Sequence, residues 1–405
     1  MKFNQWTLGL AAVGVVSLAS AAKAADETGT ANTVLTALSS TTISGYVDTS
    51  AQWNLGTGNA NPVPVKFNQG KQDGFNLNVV QISIAKPLDE SPWAAGYRFD
   101  AWFGPDANTL NTASLNGGSQ TFYPNRDFAI RQAYVALRMP VGNGLDWKIG
   151  VFDSIIGYES VAGPNNPNYT RSYGHSIEPQ THTGVLVSYR FSDHVSAAFG
   201  VANTAGPTIN DRPFQTPFDG DSTKPEYQKT YMFSLALTAP DNWGFLSGSS
   251  LYGGWVNGFN NVDNAPGGVG ATDVEQNTTW IYLGSTMATP ITNLRAGVAF
   301  DYADIHRLSG DIWTVAAYAS YQATDKLSLH ERVEYLRNRG NSQFLPNKEI
   351  LAATTTLQYD LWKNVLTRLE FRWDHGLSDV NMFGGTGSAN RDNAYMFAAN
   401  VIYKF

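Results

Sequence analysis

Cysteine is absent from the 405 residues, which excludes a disulfide scaffold and any metal site built on thiolates. Charge is sparse: 15% of residues are ionisable, with 27 Lys and Arg against 34 Asp and Glu. A nucleic-acid surface needs clustered basic charge to neutralise phosphates, so that partner is excluded. Beyond Ala24 no apolar run approaches the roughly 20 residues of a membrane-crossing helix. What is plentiful points elsewhere. Hydrophobic residues make up 42% of the chain and aromatics 13%, with 38 Gly and 18 Pro, far too apolar for a disordered chain. Length alone suggests two or three soluble domains, although large barrels run as one.

Residues 1–24 carry the marks of an export signal: Lys2, an apolar run from Leu8 to Ala22, and Ala22-Lys23-Ala24 as a small-x-small cleavage site. The run is 15 residues long, short for a stable anchor. Cleavage removes Lys2 and Lys23, leaving 25 basic and 34 acidic side chains, a balance of −9. Residues 25–41 are expected to form a periplasmic linker or a short helix entering a lumen.

An exported chain without apolar helices is either a soluble protein or one that crosses the outer membrane as a closed barrel. In hydrocarbon every backbone N–H and C=O must be paired within the protein, and a barrel has no free edge. Such strands alternate apolar-out and polar-in over about 10 residues. In 365–374, Val365, Thr367, Leu369, Phe371 and Trp373 share one face, while Leu366, Arg368, Glu370, Arg372 and Asp374 share the other. Those ionised groups are expected to face water in a lumen. The alternation recurs at 394–405, at 294–302 with Arg295 and Asp301 inside, and at 327–335 with His330, Arg332 and Glu334 inside, where Glu331 falls on the apolar face. Residues 127–138 fit poorly, because Arg131 and Arg138 have opposite parity; a bulge or a strand end would reconcile them.

Sixteen such runs are present, near 42–54, 75–86, 93–104, 127–139, 145–153, 181–191, 194–203, 229–239, 249–260, 275–288, 293–306, 311–323, 326–338, 349–360, 364–375 and 394–405. Long connections (55–74, 105–126, 154–180, 204–228, 261–274, 376–393) alternate with short ones, the signature of long extracellular loops and short periplasmic turns. A soluble propeller or sandwich also alternates, but its outward faces should carry Lys, Glu and Thr rather than Phe, Tyr, Leu and Val. The expected fold is therefore all-β: residues 42–405 as one closed antiparallel transmembrane barrel of about 16 strands. Tyr403 and Phe405, two apart at the chain end, suit an interfacial aromatic girdle and stand as a C-terminal membrane-assembly signal.

Several runs resemble the OmpL-like family of β-barrel porins: GYVDTSAQWN (45–54), QISIAKPLDE (81–90), YRFDAWFG (97–104), the block RQAYVALRMPVGNGLDWKIGVFDSIIGYE (131–159), NPNYTRSYGHSIEPQTHTGVLVSYRFSDHVSAAFGVAN (166–203), and VIYKF (401–405). The resemblance implies an outer-membrane barrel of a Gram-negative-type bacterium that passes small solutes, and it supplies no catalytic residues.

The longest connection, 154–180, follows the fifth strand, where general porins fold a loop inward; the inward course is the expectation here, by analogy. Acidic and basic groups facing each other across a narrow waist bias ion passage. The pore-lining candidates are Arg98, Asp100, Glu159, Arg171, Arg295, Asp301, Arg332, Glu334, Arg368, Glu370, Arg372 and Asp374. Catalysis is disfavoured: six His are present, His175 and His182 lie near hydroxyls, but neither G-x-S-x-G nor H-E-x-x-H occurs. Asp219, Asp221 and Glu226 share an outer loop without EF-hand spacing, so neither metal nor cofactor is expected. Asn277-Thr278-Thr279 matches a glycosylation sequon by chance, and Trp102, Trp255 and Trp280 suit girdle or loop packing better than a sugar slide. The function read from the residues is a porin passing small hydrophilic solutes or ions by passive diffusion. A plugged structural or adhesive barrel and a substrate-specific channel are the alternatives. Outer-membrane lipids, lipopolysaccharide and the barrel-assembly machinery are the expected partners, and a homo-oligomer is left open.

Overall fold

In the computed structural model the alternating segments become strands. They are β1 Thr42–Asn54, β2 Gly74–Lys86, β3 Ala95–Phe103, β4 Phe128–Met139, β5 Leu145–Asp153, β6 Thr181–Arg190, β7 Val195–Ala202 and β8 Thr230–Thr238. The second half supplies β9 Ser250–Phe259, β10 Asn277–Ala288, β11 Leu294–Ile305, β12 Gly310–Gln322, β13 Leu327–Asn338, β14 Lys348–Trp362, β15 Val365–Gly376 and β16 Asn393–Lys404. Their limits fall within two residues of those read from periodicity. The structure describes residues 40–56, 60–68, 70–71, 73–112, 127–210, 228–259, 277–305, 310–339, 348–378 and 381–405. The signal, most of the linker, His306 and the acidic trio Asp219, Asp221 and Glu226 lie outside them.

Every strand pairs antiparallel with its neighbours in sequence, and β1 closes on β16, Ala51 opposite Ala399 and Trp53 opposite Phe397. Closure leaves no unpaired edge, the condition hydrocarbon imposes. The outer surface is oily: Leu235, Leu283, Val298, Leu369, Phe371 and Val401 are all exposed. Aromatics ring the periplasmic end, with Tyr359, Trp362, Tyr403 and Phe405 exposed and the last two stacked at 6.5 Å. Asn293 and Asn364, both in the left-handed region at φ 66° and 67°, close short periplasmic turns, a conformation asparagine tolerates better than most residues. Glu331 does lie on the lipid face, where the Thr355 hydroxyl donates to it at 2.7 Å.

The parity conflict of β4 is resolved by a bulge. Asp100 of β3 pairs with Gln132, and the next residue, Ala101, pairs with Ile130, so Arg131 is the extra residue. One inserted residue reverses the alternation beyond it. Arg131 therefore reaches inward to Asp100 at 3.2 Å, and Arg138, seven residues on, pairs with Asp146 at 2.7 Å.

Candidate functional site: an inward loop clamped across the lumen

The connection 154–180 runs inside the barrel. All but Pro164, Asn165, Ser176 and Ile177 of its residues are buried, and its contacts are with the inner faces of strands far away in sequence. Two features set its entry. Gly157 has φ 118°, and a side chain there would run into the Glu178 carboxylate. Further on, Gly254 and Gly297 leave room in the wall for Ile156 and for the Tyr158 ring.

The first part of the loop packs on an apolar wall. Ile155, Ile156 and Tyr158 join Phe152, Leu186, Met232, Tyr252, Val256, Trp280 and Tyr282 in one buried cluster, and Tyr158 stacks on Tyr318 of β12 at 4.1 Å. Trp280 donates its indole N–H to the Ile177 carbonyl at 2.8 Å. Trp280 and Trp102, whose indole N–H reaches Gln81 at 2.7 Å, are thus loop-packing residues; Trp255 faces outward.

The second part crosses to β13, β14 and β15, where ionised side chains grip its backbone. Glu370 accepts from the N–H groups of Tyr169 (2.6 Å) and Thr170 (2.9 Å) and from the hydroxyls of Thr170 (2.6 Å) and Thr356 (2.7 Å). Glu334 accepts from the Tyr173 N–H at 2.6 Å. Arg332 donates to the Thr170 carbonyl and to Glu159, each at 2.8 Å, and pairs with Glu334 at 3.0 Å. Arg372 donates to the Arg171 carbonyl at 2.8 Å and pairs with Asp374 at 2.8 Å; the Tyr173 hydroxyl donates to the same Asp374 at 2.9 Å. Glu159 also accepts the Ser172 N–H at 2.8 Å, while Ser172 caps the short helix α1 Tyr173–Ile177 through the His175 N–H at 3.0 Å. Hydrogen bonds with an ionised partner are the strong ones, and here Glu159, Glu334, Arg332 and Arg372 each combine an ion pair with a hydrogen bond to the loop backbone, while Glu370 is held by four hydrogen bonds alone, so none is buried without a partner.

The inward face of β15 does carry Arg368, Glu370, Arg372 and Asp374, but the expectation that they meet water fails at this level. Their exposures are 2%, 1%, 0% and 0%, because the loop occupies the space that solvent would fill. Asp301 is likewise buried; the Thr314 hydroxyl donates to it at 3.3 Å, and a side chain on Gly174 would collide with it. Asp100 lies against Arg98 (2.9 Å), Arg131 and Gln132 (2.8 Å) on the β3 and β4 side, with the Arg98 side chain 38% exposed. Arg295, at the periplasmic end of β11, stands apart from the cluster and forms no ion pair among the described residues. Arg171 and Arg368 donate chiefly to backbone carbonyls: Arg171 to Val161 (2.8 Å) and Tyr169 (3.3 Å), Arg368 to Gly163 (3.3 Å) and Asn166.

Two further segments enter the lumen. Residues 60–68 place Val63 and Val65 beside Tyr173, Leu336 and Ile350, and Phe67 against Trp102 at 5.7 Å. The Lys66 N–H donates to the Ser176 hydroxyl at 3.0 Å and its ammonium to the Glu178 carbonyl at 3.2 Å. A second short helix, α2 Pro105–Leu110, buries Asp106, Ala107 and Leu110. The strand search missed both, since neither forms an alternating run of strand length; the short apolar alternation of Val63, Val65 and Phe67 between two strands was a sign of the first. Within these loops burial governs ionisation. It holds His175 well below its ordinary value, aided by Arg171 and Lys66, draws Lys66 down to about 8, and raises Asp106 to about 6. Glu178 is pushed well above the usual carboxylate range by burial and by Asp301 beside it.

Known proteins of the same architecture are outer-membrane porins. OmpT of Vibrio cholerae in its trimer form is 13% identical, covers 90% of this chain and 99% of its own, and superimposes with a TM-score of 0.55. The outer-membrane channel DcaP of Acinetobacter baumannii (13%, 90% and 97%, 0.56) and the anion-selective porin from Comamonas acidovorans (12%, 90% and 99%, 0.57) are similar to the same degree. No curated relative matches the chain. The family model described as "Putative beta-barrel porin-2, OmpL-like" matches residues 40–405. The chain belongs to that OmpL-like family of β-barrel porins and resides in the bacterial outer membrane.

Proposed function

We propose that this porin passes ions and small hydrophilic solutes by passive diffusion along a narrow path beside loop 154–180, with that loop as its constriction. The observation that carries the reading is the loop's inward course, clamped on one side by Glu370, Arg332, Glu334 and Arg372 and seated on the other against an apolar wall. A fixed loop sets bore and field together without a moving part. Glu159, Asp301 and Asp374 act with the clamp, whereas Arg98 and Arg295, partly exposed on the wall, border the water. Asp100 orients Arg98, and Arg171 and Arg368 join the loop to the wall near the periplasmic half.

The same reading makes the chain non-enzymatic. His182 approaches the Ser154 hydroxyl at 3.3 Å, but both are buried in the seam where the loop leaves the wall, and we assign them to packing. Residues 1–24 serve as the export signal, 25–41 as a periplasmic linker, and Tyr403 with Phe405 as the C-terminal signal read by the barrel-assembly machinery. Outer-membrane lipid and lipopolysaccharide surround the barrel, and self-association into a homo-oligomer accords with the trimeric OmpT.

One observation favours a second reading. The waist charges are shut off from solvent, as a plugged structural or adhesive barrel would require. Planar-bilayer recording separates the two: stepwise ohmic currents are expected for the porin, and persistent silence of correctly folded protein would establish the plug. Block by one solute at millimolar levels or below would mark a specific channel instead.

A further inference from the structure

Two of the buried guanidiniums lack an acidic partner. Arg332 and Arg372 each pair with carboxylates at 3.3 Å or less. Arg171 and Arg368, exposed by 5% and 2%, have no carboxylate within ion-pairing distance among the described residues, and rely on carbonyl oxygens. The Nε of Arg171 is buried without any hydrogen-bond partner. Both residues border one small cavity of about 20 Å³, enclosed by β1, β2, β15, residues 66–68, Lys71 and the inward loop. Four cationic side chains line it, Lys66, Lys71, Arg171 and Arg368, against two acidic ones, Asp48 and Asp106. Lys66, at about 8, keeps its proton at neutral pH. Asp106 is engaged with Lys71 at 3.8 Å, and Asp48 already accepts from Asn78 and Asn400 at 2.7 Å each. The cavity thus holds an excess of two positive charges, and leaving charge uncompensated away from water is costly.

We propose that this cavity is a binding station for a compact monovalent anion, a halide or a short carboxylate such as formate, held by Arg171 with Arg368 and Lys71 behind it. Size supports the class: the free space is divided among side chains and offers about one or two water-sized positions. Aromatic faces complete the walls, with the Arg171 guanidinium 5.6 Å from the Phe67 ring and the Lys71 ammonium 4.7 Å from the Tyr169 ring, which helps keep both cations in place beside the cavity. As a step in conduction the station rests on the porin reading; as a binding site it does not.

Two measurements on the mature protein test it separately. Anomalous diffraction from crystals grown in bromide should show a peak in contact with Arg171, and its absence would overturn the proposal. In bilayers under a potassium bromide gradient, the reversal potential should be anion-directed. Arg171→Gln should lower the bromide-to-potassium permeability ratio by about fivefold, the effect of removing a unit charge about 4 Å from the ion in a water-like dielectric, and Arg337→Gln on the outer rim should leave it unchanged. If Arg171→Gln does not fold, Lys71→Gln should lower the ratio in the same direction. A conducting channel that prefers potassium, or one indifferent to both substitutions, refutes the station while sparing the porin. A silent barrel that still binds bromide refutes conduction and retains the site.

Discussion

Replacing Glu370 by Ala should release the inward loop from the wall. Glu370 is 1% exposed and accepts four hydrogen bonds, two from backbone N–H groups of the loop. The backbone donors of Tyr169 and Thr170 are themselves buried, so truncation leaves both unsatisfied at about 1–3 kcal/mol each. A combined loss of about 4 kcal/mol changes the ratio of clamped to released loop by nearly a thousandfold. The barrel ladder is untouched, because the lost bonds hold the loop and not the strands. Folded Glu370→Ala protein should migrate as a heat-modifiable barrel like the wild type, yet show larger or noisier single-channel conductance and new protease cleavage within 154–180. Glu370→Gln, which retains one carbonyl acceptor, should fall between the two. Wild-type conductance together with wild-type protease resistance in Glu370→Ala would refute the clamp.

Three other outcomes are expected. His175 is buried and held neutral, its proton affinity depressed, so the released loop binds more protons than the clamped one below the ordinary value near 6.5. Loop stability from this residue therefore falls as pH drops below that point. Because Glu178, with a raised value, changes in the opposite sense, the test compares wild type with His175→Gln in hydrogen exchange over 169–178; from pH 7 to pH 5 the wild type should lose protection relative to the variant, and a constant gap would count against it. Glu331→Leu on the lipid face should stabilise the barrel by about 1 kcal/mol in urea titrations in bilayers, less than the change for a basic residue at midplane, with no gain contradicting its assigned orientation. Gly150 has φ 135°, and a Cβ there would run into the Ala133 carbonyl. Gly150→Ala should therefore destabilise the barrel by at least about 1–3 kcal/mol in the same titration, and an unchanged midpoint would show that β5 can relax.

Strand number, strand parity and the alternation of long and short connections were legible in the sequence because each is a local property: one face of each strand must meet lipid, and the period of two follows from the backbone. The inward position of Arg332, Glu334, Arg368, Glu370, Arg372 and Asp374 followed from the same rule. What those side chains touch did not. Glu370 and Thr170 are 200 residues apart, and nothing in either neighbourhood encodes the other; only closure of the barrel brings β15 opposite the loop. The inward course of 60–68 and of α2 was equally invisible, since their apolar stretches are too short to read as strands and acquire a wall to pack on only once sixteen strands enclose them. The Arg131 bulge stands between these cases. Its parity conflict was readable in the sequence, but the choice of Arg131 as the inserted residue depended on the Asp100 and Asp153 carboxylates that β3 and β5 bring to it, a matter of strand neighbours and not of sequence.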